Sequence, residues 1–136
     1  LRAEAVQLET RVLSVHTLKK RREHVVREIP MPHELVGELE LTSLPLDGGL
    51  IWQENGREIP RITAYRWIKA LMTEAGLDGP KACPKGLRHA YGARAVVSGV
   101  PLHMLQKWMG HASMRTTAVY STVLGPEQLT IADRMW

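Results

Sequence analysis

Three glycines cut the second half of the sequence into pieces of helical length. Gly76 ends a run from Arg61 to Ala75 in which Ile62, Tyr65, Ile68, Met72 and Ala75 recur at the spacing of one helix face. Gly99 ends a second run, Gly86 to Ser98. Gly110 ends a third, which opens at Pro101 and carries Leu102, Leu105 and Met109 as an apolar stripe. Glycine stops a helix because it enters the left-handed region without a Cβ penalty, and proline, with φ fixed and no N–H to satisfy, suits a first turn. The spacing predicts helices over these three runs. Two short ones follow, over Ser113 to Thr122 and Pro126 to Met135.

The first half reads differently. Leu1 to Leu8 holds good helix formers (Ala3, Ala5, Leu8) and reads as a helix fragment, with no capping residue before it. From Val12 to Leu18 the residues suit a strand, and a second β-rich run, Val25 to Met31, ends between Pro30 and Pro32. The basic segment Lys19 to Glu23 lies between them, so a β-hairpin with a positively charged tip is expected. His33 to Leu41 is predicted as a short helix, and Leu44 to Gly56, with Pro45 and the Gly48-Gly49 pair, as loop. The expected architecture is mainly α with a small antiparallel β-sheet (α+β), in one domain spanning residues 1–136.

Composition narrows the function classes. The 136 residues carry a net charge of +4 and have 44% hydrophobic residues, with four Trp and no Phe. A moderately basic surface suits a polyanion, because neutralised phosphates release their counterions. No apolar run approaches the roughly 20 residues that span a bilayer, and no leader opens the chain, so a soluble protein with no membrane partner is expected, and a single cysteine fits a reducing cytoplasm. Cys83 alone makes no internal disulfide and reads as a half-buried small side chain. The six histidines (His16, His24, His33, His89, His103, His111) form no compact ligand pattern, so neither a metal nor another cofactor is expected.

The second half also carries Pro84-Lys85-Gly86-Leu87-Arg88-His89, then Gly99-Val100-Pro101-Leu102, then Gly110-His111, then Tyr120, nine positions on (120 − 111 = 9). This order resembles the signature of the tyrosine recombinases, the phage-type integrase family: an Arg in an L-R-H segment, a G-V/I-x-L helix start, an L/M-G-H turn, and a Tyr nine residues after that His. Four features in order over some 35 residues are far more specific than any one alone. The resemblance implies the catalytic-domain fold of that family and site-specific DNA recombination, with strand cleavage and rejoining through a covalent 3′-phosphotyrosine. Such chemistry needs a nucleophile, a cationic cradle for the non-bridging oxygens, and an acid for the departing 5′-oxygen. Tyr120 is then the nucleophile and Arg88 the planar fork that matches phosphate oxygens. His111 helps manage the tyrosine proton. His89 is assigned to packing and hydrogen bonding, and Trp108 and Met109 to the helix before the turn.

The family also places a lysine on a β-hairpin as the acid for the leaving oxygen. Lys19, at the end of the first strand, resembles it, with Lys20 next. Lys20, Arg21 and Arg22 are expected to touch the DNA backbone. Two positions depart from the pattern. Lys85 stands where the family usually has a His, three residues before Arg88; it can still donate to a phosphate oxygen, though it exchanges protons less readily near neutral pH. The family's first arginine sits in G-L-R-x-x-E, which Leu1-Arg2-Ala3-Glu4 resembles with Arg and Glu two apart instead of three. Either the segment is one residue shorter or Arg2 is not the counterpart.

The resemblance further implies double-stranded DNA as partner and a homotetramer on two duplexes. It implies Gly125 to Trp136 as a docking segment, a bacterial, phage or plasmid source, and a catalytic domain without its first residues or the family's N-terminal DNA-binding domain. The alternative is a non-catalytic helix-turn-helix DNA-binding module built on Val100–Met109 and Ser113–Thr122. It leaves Arg88, Lys19 and Tyr120 without a reason to coexist.

Overall fold

The computed structural model describes residues 1–17, 25–42, 44, 45 and 48–133, the side chains at 123, 127 and 130 aside. These form two compact units, Leu1–Ile59 and Pro60–Trp136. The tip of the expected basic hairpin, with Lys19, Lys20, Arg21 and Arg22, lies outside the described residues.

The first unit is built on a three-stranded antiparallel sheet in the order β1 (Val6–Gln7), β2 (Val12–His16), β3 (Val26–Pro30). Its register places Val6 opposite Leu13 and Leu13 opposite Ile29, so one apolar row crosses all three strands on one face. Val15 and Arg27 form the next pair on that face. Beyond β2 the ladder continues with the Thr17 N–H on the Val25 carbonyl, at 2.9 Å. Pro30 falls on β3, an edge strand, where a missing donor is tolerated. The helix expected over Leu1 to Leu8 does not form. Ala3–Ala5 makes a single 3-10 turn, and Val6 then leaves for the sheet. Alanine's helix preference is small beside strand pairing and the bonds that tie Leu1 and Ala3 to Ile51 and Gly49.

Helix α1 (His33–Leu41) follows as expected and buries Val36. The end of the stretch expected as loop opens a small hairpin, β4 (Gln53–Glu54) paired with β5 (Arg57–Glu58) just beyond it. Its two turn residues, Asn55 and Gly56, have φ of 52° and 74°. That is the pair of left-handed residues a tight hairpin turn requires, and Asn-Gly is its strongest short-range signal.

The second unit is helical: α2 (Arg61–Glu74), α3 (Pro84–Val97), α4 (Leu102–Met109), α5 (Met114–Ala118), a 3-10 segment (Val119–Val123) and α6 (Glu127–Asp133). The three glycine stops share one geometry. Gly76, Gly99 and Gly110 have φ of 72°, 79° and 67°. In each case the glycine N–H reaches back three residues and the next N–H reaches back five: Gly76 to Thr73 and Leu77 to Met72, Gly99 to Val96 and Val100 to Ala95, Gly110 to Lys107 and His111 to Gln106. This paired bond pattern satisfies carbonyls that the helix end would otherwise orphan. It also fixes the direction in which the chain leaves each helix.

The core of this unit joins Ala95, Val96, Leu105, Met109 and Tyr120, with Val100, Leu102 and Leu124 packed against them. The α4 stripe behaves as expected, and Leu105 is wholly buried. The α2 stripe does not. Met72 is buried, but Ile62 and Tyr65 are 57% and 41% exposed. The single helix expected over Ser113 to Thr122 is shorter. The Ser113 side chain caps α5 by accepting the Arg115 N–H, and α-helical winding stops after Ala118. The Ser121 and Thr122 hydroxyls then donate to the Ala118 and Val119 carbonyls three residues back, which favours the tighter 3-10 winding observed.

Candidate active site

Helix α3 carries Lys85, Arg88, His89 and Gly92 at steps of three and four, hence along one side. Lys85, Arg88 and His89 are exposed. A guanidinium N–H of Arg88 donates to the Met109 carbonyl. That carbonyl belongs to the last turn of α4, where the helix dipole is negative and a partner is lacking, so a cation is well placed there. The contact holds Arg88 against the turn that presents His111.

Gly110 aims that turn. Its left-handed conformation brings the His111 N–H onto the Gln106 carbonyl at 3.1 Å, while the Gln106 side-chain amide donates to the His111 carbonyl at 3.2 Å. The backbone of His111 is thus held from two sides. Its ring is held too: Nδ1 lies 2.9 Å from the Thr117 hydroxyl, and Thr117 is wholly buried. An imidazole fixed through Nδ1 does its chemistry through Nε2.

Tyr120 sits on the 3-10 segment, which packs on α3. Its ring stacks on His111, with planes 11° apart and centroids 6.3 Å apart. The His89 ring meets it edge-on at 5.4 Å and 73°. His89 thus lies against Tyr120 as a packing neighbour. The structure therefore brings together Arg88, His111 and Tyr120 within the second unit. Lys85 lies one turn before Arg88 and borders a groove of about 810 Å³, shared with Leu77, Lys81, Leu87 and His89, between the end of α2 and the start of α3. Arg2 belongs to the first unit, where it bridges to Leu50 and donates to the Gly48 carbonyl at 3.3 Å.

Two residues of the site escape the sequence reading. Thr117 holds His111, and its signal is the step of three that places it on the face of Tyr120. Gly92 lies beneath the Tyr120 ring, and its signal is a glycine inside a helix, where it costs about 1 kcal/mol relative to alanine and marks a close approach. Among the described residues no cluster of three or more His, Cys, Asp or Glu side chains could hold a metal ion, and no helix is long and apolar enough to cross a membrane.

Residues 1–125 match the phage integrase family. A tyrosine recombinase XerD from Bifidobacterium longum is 33% identical over 96 residues, which cover 68% of this chain and 30% of the relative. A tyrosine recombinase XerC from Erythrobacter litoralis is 31% identical over 77 residues, 57% of this chain and 25% of the relative. Among solved structures, XerA recombinase superposes with a TM-score of 0.72 at 24% identity, over 99% of this chain and 50% of that one. XerH recombinase bound to a palindromic difH substrate gives 0.67 at 22% identity, over 100% of this chain and 40% of that one. The chain spans half or less of the length of each of these relatives.

Proposed function

This chain belongs to the phage integrase family, and on that premise we propose that it is the catalytic part of a site-specific tyrosine recombinase, which cuts and rejoins double-stranded DNA without metal or other cofactor. The observation that carries the reading is the meeting of Arg88, His111 and Tyr120 at the end of α4. Both units belong to one catalytic domain in this reading, since the family match runs through both.

The Tyr120 oxygen attacks phosphorus, its proton passing toward Nε2 of His111. The bond from phosphorus to the 5′-oxygen breaks, and the 3′-phosphate remains on the tyrosine. A later 5′-hydroxyl reverses the step, so rejoining needs no outside energy source. Arg88 spends one N–H on the Met109 carbonyl; a guanidinium carries five, and the others face the non-bridging oxygens where charge develops. Lys85 adds a point charge one turn away. Lys19 protonates the leaving oxygen, Lys20, Arg21 and Arg22 hold the DNA backbone, and Arg2 supplies a second arginine to the cradle. We further propose a homotetramer on two duplexes, with the segment from Gly125 onward docked on a neighbouring subunit, and a cytoplasmic location in a bacterial, phage or plasmid context.

A non-catalytic helix-turn-helix module fits less well. Its second helix, α5, is five residues long and turns Thr117 into the core.

Covalent capture tests the proposal. The full-length protein is mixed with a library of nicked duplexes of random sequence, and DNA that stays on the protein through denaturing electrophoresis is recovered. The expected result is an enriched, covalently held duplex with the native protein and none with Tyr120→Phe. An adduct that persists in Tyr120→Phe contradicts the proposal.

A further inference from the structure

Tyr120 lies deeper than the cations of α3 it would act with. It is 6% exposed, whereas Lys85 and Arg88 are exposed. A Cβ placed on Gly92 would stand 2.5 Å from Cζ of Tyr120 and 2.6 and 2.7 Å from its Cε atoms, where ordinary contacts run from 3.4 to 4 Å. Cζ bears the hydroxyl. The reacting end of the ring therefore occupies the space that a side chain at position 92 would take. His111 covers a face of the ring and His89 meets it edge-on.

We infer that Gly92 is a positioning residue for Tyr120: the missing side chain opens a slot in α3 that stores the phenol below the surface, and the ring leaves this slot to reach a phosphate. This rests on Tyr120 as the nucleophile. Its physical basis is reach. Reacting atoms must come within about 3–3.5 Å in line, and the phosphate of a stiff duplex stays at the surface where Arg88 stands. A ring held in the slot lowers the competent fraction, and the observed rate falls with that fraction. Alanine at position 92 shortens the slot by about one ångström, from the 2.5 Å approach to an ordinary contact, and shifts the ring outward. Alanine is also the better helix former, so the glycine is not there for the helix.

The chain has three tyrosines, which makes the test internal. Tyr65 and Tyr91 are 41% and 46% exposed. The full-length protein is nitrated with tetranitromethane, and the rate at each tyrosine is read by mass spectrometry of its peptide. In the native protein Tyr120 is expected to react at least tenfold more slowly than Tyr65. In Gly92→Ala its rate rises at least fivefold while Tyr65 and Tyr91 keep theirs, which separates release of one ring from general loosening. Single-turnover cleavage of the captured duplex becomes about threefold faster or more in Gly92→Ala, with unchanged DNA affinity. An unchanged Tyr120 nitration rate in Gly92→Ala, or a faster one with slower cleavage, overturns the inference. If Gly92→Ala does not fold, the native protein still decides: nitration of Tyr120 as fast as that of Tyr65 excludes the slot. Nitration needs no cleavage, so failure of the slot is distinct from failure of the nucleophile assignment, which Tyr120→Phe reads separately.

Discussion

Replacing Thr117 by valine removes one hydroxyl and keeps the shape of a wholly buried side chain. No cavity opens, so the effect isolates the 2.9 Å contact to Nδ1 of His111. The lost hydrogen bond is worth about 0.5–1.5 kcal/mol, and leaving a partly buried ring nitrogen without its partner brings the total to roughly 1–2 kcal/mol. For a unit of this size each kcal/mol moves Tm by roughly 4–8 °C, so a fall of about 4–16 °C is expected by calorimetry. Catalysis should suffer more than folding. An imidazole that loses the neighbour fixing its orientation and tautomer typically loses on the order of 10- to 100-fold in function, a scale taken from metal-bound histidines. Single-turnover cleavage at saturating DNA removes the binding term and reads this loss directly. Thr117→Ser keeps the hydroxyl and should recover most of the rate while remaining somewhat less stable. The reasoning is refuted if Thr117→Val cleaves at the native rate, or if Thr117→Ser is as slow as Thr117→Val.

Leu105 is wholly buried at the centre of the second unit, so Leu105→Ala should cost about 2.7–5 kcal/mol in urea unfolding; a loss under about 1 kcal/mol would mean that the core lies elsewhere. Lys85→Ala should slow single-turnover cleavage about tenfold or more, with Lys85→Arg keeping much of the rate and Lys85→His tolerated, as a phosphate donor requires. If Lys85 touches only the DNA backbone, that rate stays native and the salt slope of binding falls by about one unit instead. Lys19→Ala should be slow on ordinary DNA and restored when the leaving 5′-oxygen is replaced by sulfur, which departs without a proton. Rescue of Lys20→Ala alone would shift the assignment by one residue.

The legible parts of this chain are those where local chemistry decides the outcome. Gly76, Gly99 and Gly110 mark helix ends because the left-handed cap they form is a property of the glycine and its immediate neighbours. The order Arg88, Gly110-His111, Tyr120 is legible because it resembles the signature of a known family, several features in fixed sequence. Most of what failed depends on partners outside the segment being read. The alanines near the N-terminus favour a helix, yet Val6 pairs with Leu13 and the segment joins a sheet. The stripe on α2 is real as a pattern, but a pattern does not reveal how much of the helix is covered, and Met72 is the residue of α2 that is buried. The Asn55-Gly56 hairpin was written in the sequence and passed over, because its strands are two residues each and carry no alternation. Thr117 and Gly92 matter through what they touch, a ring nitrogen and the hydroxyl end of a ring, and no spacing rule names those partners in advance.

The central claim is that Tyr120 forms the covalent bond to DNA. Its most direct measurement is peptide mapping of the captured adduct, with the DNA trimmed by nuclease and the protein digested with trypsin. Tyr65 and Tyr91 are both more exposed than Tyr120, and burial pushes the Tyr91 phenol above its ordinary ionisation range. Exposure alone would therefore favour Tyr91 or Tyr65 over Tyr120. The account expects the nucleotide mass, attached through a phosphate, on the tryptic peptide that begins at Thr116, with fragmentation placing it on Tyr120. The same mass on the peptide of Tyr65 or Tyr91, or on a residue other than tyrosine, contradicts it.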